Sequence, residues 1–228
     1  MYQGFHGLTL AAAALGIRTL WRRCPSGTRR PHRWTGAIEW VVAPVAYDYP
    51  AELERELTLR DRAVVRLRPI RPDDAPRLQT LHARLSAGTA YQRFFSIVKR
   101  LPSDWARAAA TVDYHRRLAL VVEAPARSEP ELIAVGRYDA LDELATAEVA
   151  FVVQDSWQNR GLGTLLFDAI LRAAVARSFR RFRASVLSDN PRMLDLITRF
   201  TRVESRKAER GVTELVFTLR DAPSIAAT

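Results

Sequence analysis

Few chains of 228 residues carry so little sulfur and so little lysine: one cysteine, two methionines, and among 35 basic residues only Lys99 and Lys207 are lysines. Cys24 alone can form no intramolecular disulfide, so a reduced, cytoplasmic compartment is the default expectation. The four histidines, His6, His32, His82 and His115, stand in no H-x-x-x-H or C-x-x-C setting, and no metal is expected. Nor is there an apolar run of the roughly 20 residues that a bilayer span needs. Residues 7–17 are apolar and small, but Arg18 ends them, and the basic cluster follows the run instead of preceding it as in a signal peptide. That leaves a short interfacial anchor as the one membrane reading, beside the simpler one of a poorly ordered arm. No G-K-[ST] follows a glycine-rich loop, which excludes a P-loop, and both the G-x-G-x-x-G triplet and the opening βαβ unit of a dinucleotide fold are missing. Internal repeats and a recognisable DNA-reading helix are absent too.

The formal charge of +10 is divided unevenly, with six arginines against Glu39 in residues 1–46 and 29 basic against 24 acidic residues in the rest. The folded part is thus only mildly basic, which suits a polyanionic ligand or plain solubility better than a nucleic-acid groove, and no nucleic-acid partner is expected. Composition divides the chain into a basic arm over 1–46, one domain over 47–221 and a tail over 222–228. With 48% hydrophobic residues over the whole chain, that domain can bury a core without staples, as a monomer or a homodimer.

Within it, Glu52–Arg60 and Ala63–Arg68 read as two strands around a turn at Asp61-Arg62, and Pro72-Asp73-Asp74 opens a helix to about Ser86. The aromatic segment Ser86–Phe95 around Arg93 reads as core packing, and Pro102-Ser103-Asp104-Trp105 starts another helix with Ser103 or Asp104 as cap. Leu118–Glu123 and Leu132–Tyr138 form an antiparallel pair. Then comes the most informative stretch: a strand at Ala147–Val153, the turn Gln158-Asn159-Arg160-Gly161-Leu162-Gly163, and a helix whose Leu162, Leu165, Leu166, Ala169, Ile170 and Ala173 share one face. Strand, glycine-bearing turn and helix in that order gather backbone N–H groups and a helix dipole at one point, a site for a phosphate. Phe182–Leu187, the helix Asn190–Phe200 and the pair Val203–Arg206 with Thr213–Leu219 complete the chain.

The turn and its context resemble the GNAT superfamily of acyl-CoA-dependent N-acyltransferases, whose signature is Q/R-x-x-G-x-G/A. Leu57–Asp61, Arg66–Asp74, Tyr91–Phe95 and Ala147–Phe151 further resemble the bacterial protein-lysine acetyltransferase (Pat-like) branch. In that branch the domain stands alone or is joined to a regulatory or synthetase-like module, for which residues 1–46 are too short. The resemblance implies a mixed α/β fold: a mostly antiparallel sheet of about seven strands, splayed at the CoA site, with helices on both faces. It implies acetyl-CoA as cosubstrate and a primary amine, foremost a protein lysine, as acceptor. It further implies that backbone groups of Phe151, Val152 and Val153 bind the pantetheine arm, and that the amides of Gln158, Asn159, Arg160, Gly161, Leu162 and Gly163 hold the pyrophosphate with the Arg160 charge beside them. Asn190 falls where the family has an asparagine beside the pantetheine, and Asn190 before Pro191 is equally a helix N-cap. Glu148 is the implied general base, with a pKa raised by partial desolvation, and a backbone N–H near Val153 would steady the oxyanion.

Departures from the family concern the acceptor side. Ile197 stands where many members have a tyrosine that protonates the leaving thiolate, so the thiolate leaves unassisted or another residue such as Tyr91 serves. The usual glycine near Phe200–Val203 is missing, and Asp61-Arg62 replaces a D-G turn. A small-amine acceptor and a weakly catalytic acyl-CoA sensor or interaction module are therefore the two alternatives.

Overall fold

The structure, a computed structural model, describes residues 48–220. The basic arm, Cys24 and the tail lie outside the described residues. Eight strands form one sheet in the order β1-β2-β3-β4-β5-β6-β8-β7. They are β1 (Arg55–Thr58), β2 (Val64–Pro69), β3 (Arg117–Ala124), β4 (Glu131–Ala140), β5 (Thr146–Val153), β6 (Arg181–Leu187), β7 (Thr201–Glu209) and β8 (Val212–Leu219). The family resemblance implied about seven strands, and the eight segments read from the sequence all form; β1, read as Glu52–Arg60, is cut to four residues because Ala51–Leu53 curl into a 3-10 turn behind Pro50. Five α-helices accompany the sheet among the described residues: α1 (Ala75–Ala83), α2 (Ala87–Phe94), α3 (Ser103–Ala110), α4 (Leu162–Ala176) and α5 (Pro191–Phe200). The class is mixed α/β, as the sequence implied.

Period-two alternation gives the sheet two chemically different faces. On one, Leu120 stands opposite Gly136 and Gly136 opposite Phe151, with Leu118, Tyr138 and Val149 in the next row. Helix α4 covers this face through Leu162, Leu166, Phe167 and Ile170, all essentially buried, each side chain stabilising by about 1.5–3 kcal/mol on burial. Gly136 permits that approach, since a Cβ there would lie 3.0 Å from Leu166 Cγ.

The opposite face sets ions among apolar residues such as Ala119 and Val121. Arg68 donates to both oxygens of Asp74 at 2.7 Å and to Glu123 at 2.7 Å, clasping the start of α1 onto β2 and β3. Further along, register pairs Arg117 with Asp139, Asp139 with Glu148, and Glu148 with Arg183, so these four side chains run in a row across β3, β4, β5 and β6.

All strand neighbours are antiparallel except β5 and β6, which pair in parallel only at Thr146↔Arg181, Ala147↔Phe182 and Glu148↔Arg183. Beyond Glu148 the two strands part. β5 stays with β4 as far as Val153, while β6 follows β8 to Leu187. No helix among the described residues is long and apolar enough to cross a membrane.

Candidate active site

The wedge between the parted strands opens into a cleft of about 710 Å³ with a smaller cavity of about 60 Å³ at its inner end. Which backbone groups face the wedge follows from one hydrogen bond. Gln154 N–H donates to Ile133 O at 2.9 Å, so Gln154 bonds toward β4, and alternation turns Val152 and Ala150 the same way. Phe151 and Val153 therefore present their N–H and C=O groups to the wedge, whereas Val152, expected to share that role, spends its own on β4. The Val153 carbonyl is already engaged, accepting from Gln158 Nε2 at 3.0 Å. What stays open is both groups of Phe151 and the N–H of Val153, a strand edge able to pair with an extended amide chain.

At the mouth lies the turn before α4. Asn159 and Gly161 both have left-handed backbones, with φ of 64° and 87°, and Gly161 precedes the first turn of α4. Their alternation aims successive amides at one point, where the helix dipole adds its positive end. Gly163 leaves room: a Cβ there would meet nothing closer than 3.9 Å. Leu162 contributes only backbone, since its side chain is core.

The charges at this turn differ from the expected ones. Arg160 bonds Asp61 at 3.0 Å and lies 4.7 Å from the Trp157 ring centroid, turned away from the cleft. Arg60 lines the cleft instead. Its N–H donates to Arg160 O at 3.1 Å, and its side chain passes 3.3 Å from where a Gly161 Cβ would lie. Sequence reasoning missed Arg60 because it belongs to the β1–β2 hairpin, 101 positions before Gly161. The hairpin lacks its usual glycine, and Arg62 takes the left-handed conformation itself at φ 67°.

Helix α2 roofs the cleft, and Asp155 fixes its start. One carboxylate accepts from Ser86 N–H at 2.9 Å, Ser86 Oγ at 2.6 Å and Thr89 Oγ1 at 2.7 Å. Burial would push its pKa up, but the Ser86 and Thr89 bonds hold it below the ordinary aspartate value. Gln158 reinforces the joint through Thr89 Oγ1 at 3.3 Å. Ser86 is the N-cap, accepting from Thr89 N–H, a signal readable as S-x-x-T. The segment read as core packing is thus a helix whose Phe94 enters the core while Gln92 and Arg93 face the cleft. Tyr91 is 46% exposed and lines neither cavity.

Glu148, half-buried, lines the inner cavity with Arg93, Phe151, Met193 and Ile197. Ile197 is 1% exposed and presents only hydrocarbon. Asn190 borders both cavities and caps α5, its Oδ1 accepting from Met193 N–H at 3.2 Å. Pro102, not Ser103 or Asp104, occupies the cap position of α3. Among the described residues no group of three or more His, Cys, Asp or Glu could hold a metal.

A sheet parted at a parallel seam, with an anion-binding turn at its mouth and an open strand edge along it, defines an acyl-CoA-dependent acyltransferase. Residues 88–201 match the Acetyltransferase (GNAT) family, and the chain belongs to it. The family is one of acetyltransferases, whose acetyl donor is acetyl-CoA. The chain is 34% identical over 160 residues to the acetyltransferase Pat of Mycolicibacterium smegmatis, a match covering 70% of this chain and 46% of that protein. An acetyltransferase of Pseudomonas aeruginosa is 27% identical over 139 residues, 61% of this chain and 75% of the relative. The crystal structure of the GNAT domain of S. lividans PAT superposes with a TM-score of 0.68 at 35% identity, over 75% of this chain and all of that one. The chain thus spans less than half the length of the Mycolicibacterium relative.

Proposed function

We propose that this protein moves the acetyl group of acetyl-CoA to a lysine side chain of another protein, by direct attack in a ternary complex, with Glu148 as general base. The carrying observation is the position of Glu148: the last residue of β5 still paired with β6, at the head of the wedge whose mouth holds the phosphate-binding turn. An acyl-CoA lying along the wedge places its pyrophosphate on the amides of residues 158–163 near Arg60 and its amide arm against Phe151 and Val153, with Asn190 beside it. Its thioester then falls next to the carboxylate. A lysine amine, with an ordinary pKa of about 10.4, must lose a proton before it attacks, and a carboxylate at that point can take it. We take residues 47–221 as the unit that does this, with residues 1–46 outside it.

The protein acceptor is supported by the resemblance to the Pat-like branch and by the 34% and 35% identities to Pat proteins. A buried hydrocarbon at Ile197 favours the second reading, a weakly catalytic acyl-CoA sensor. Measuring CoA release with panels of protein and small-amine acceptors separates the readings. Glu148→Gln is expected to slow release by about 10²- to 10⁴-fold while acetyl-CoA still raises the melting temperature. Equal rates in both proteins would remove Glu148 as the base, and turnover with small amines alone would replace the acceptor.

A further inference from the structure

We propose that Arg93 is a second catalytic residue, whose guanidinium holds the coenzyme A sulfur as it departs as a thiolate. This rests on the reading above that the cleft takes acetyl-CoA. Five residues, Gln92, Arg93, Phe151, Asn190 and Met193, line both the large cleft and the inner cavity and so mark the junction between them. An arm reaching from the turn toward Glu148 brings its thioester to that junction, and Arg93 is the one ionisable residue of the five.

Among the described residues no anion is hydrogen-bonded to this buried cation. Arg93 is 8% exposed, its guanidinium lies 5.4 Å from the Phe94 ring centroid, and no described residue accepts a hydrogen bond or ion pair from it. The charged groups nearest it are Arg137, Asp139 and Glu148. Asp139 is committed elsewhere, accepting from Arg137 at 2.7 and 2.9 Å and from Arg117 at 3.0 Å. Burial, and then Arg137, push the Arg93 pKa down to about 10, which still leaves it charged at neutral pH.

The reaction creates an anion at this junction. The amine nitrogen bonds the thioester carbon, its proton passes to Glu148, and the carbon–sulfur bond breaks with both electrons on sulfur. Ile197, the hydrocarbon wall of the same cavity, has no proton to give that sulfur. The neutral thioester gains little from a guanidinium and the thiolate gains much, so the interaction acts on the transition state rather than on binding.

The thiol of bound coenzyme A tests this without any acceptor or turnover. Titrated by its thiolate absorbance on the full chain, it should ionise at least one pH unit lower in the wild-type complex than free in solution, and Arg93→Lys should retain most of that shift. Arg93→Gln should return it to the free value or above, while S-methyl-coenzyme A, which has no thiol to ionise, still binds. A wild-type thiol that titrates like free coenzyme A, or the same shift in Arg93→Gln, overturns the role of Arg93. Failure of the wild type to bind either coenzyme A or S-methyl-coenzyme A overturns instead the assignment of the cleft. Should Arg93→Gln not fold, the wild-type and Arg93→Lys titrations decide the matter.

Discussion

Asp74, Glu123 and Asp139 are carboxylates that burial alone would push above the ordinary range, yet neighbouring arginines hold each of them below it. Their folded pKa values therefore lie under the unfolded ones, so the stability they add is complete above about pH 4–4.5 and is lost as the pH falls through the folded values. Melting temperature should begin to decline below about pH 6.5, where burial holds His82 below the ordinary histidine value and so opposes its protonation, and should drop further below about pH 4.5 as these carboxylates protonate. Arg68→Met leaves Asp74 and Glu123 buried with Arg77 as their one remaining ion-pair partner among the described residues, beside the Arg71 N–H that Asp74 accepts, which should cost about 3–5 kcal/mol at pH 7. It should also shrink the acid loss, because the two folded pKa values rise; an undiminished acid loss in a thermal titration of the variant would contradict this network. At the same scale the sequence singled out Glu148, Gly161 and Asn190, and the structure sets Gly161 and Asn190 along the cleft and Glu148 and Asn190 along its inner cavity. The direction of the Arg160 side chain was not legible, because it depends on Asp61 and Trp157, which a local pattern does not reach.

The stretch from Ala147 to Ala176 was legible because strand, turn and helix each follow from residues next to one another. Helix α2 was not, since its aromatic and polar residues fit a packed loop as well, and its cap is completed by Asp155 at 69 positions' distance. Backbone direction on β5 was equally hidden: period two separates Val152 from Phe151 and Val153, but only the partner strand says which set faces the wedge. The missing glycine after α5 has a local replacement, Thr201, whose hydroxyl donates to Ile197 O at 2.6 Å as β7 begins. Three glycines of these elements should answer differently to alanine in thermal melts. Gly161→Ala forces a side chain into φ 87° against Arg60 and should cost about 1–2 kcal/mol with weaker acetyl-CoA binding. Gly136→Ala pushes on Leu166 and should cost about 1–3 kcal/mol. Gly163→Ala should stay within about 0.5 kcal/mol of wild type.

At the scale of the whole molecule, the strands along the chain were read from the sequence and a mostly antiparallel, splayed sheet from the family resemblance, while the structure supplies the insertion of β8 between β6 and β7 and the single parallel seam. That seam is also where the sheet is thinnest. Three paired residues join β1 to β5 on one side with β6, β8 and β7 on the other, while every other strand pair shares at least four. A ligand whose amides bond Phe151 and Val153 would take the place of the missing ladder, and the cosubstrate then works as mortar as well as donor. Amide deuterium uptake in β6, β7 and β8 should fall when acetyl-CoA is added, including at positions far from any ligand atom, and uptake unchanged outside the direct contacts would show that the two halves are already rigid. If the halves are joined this way, the donor must enter first, because the surface that receives an acceptor is not assembled until the wedge is filled.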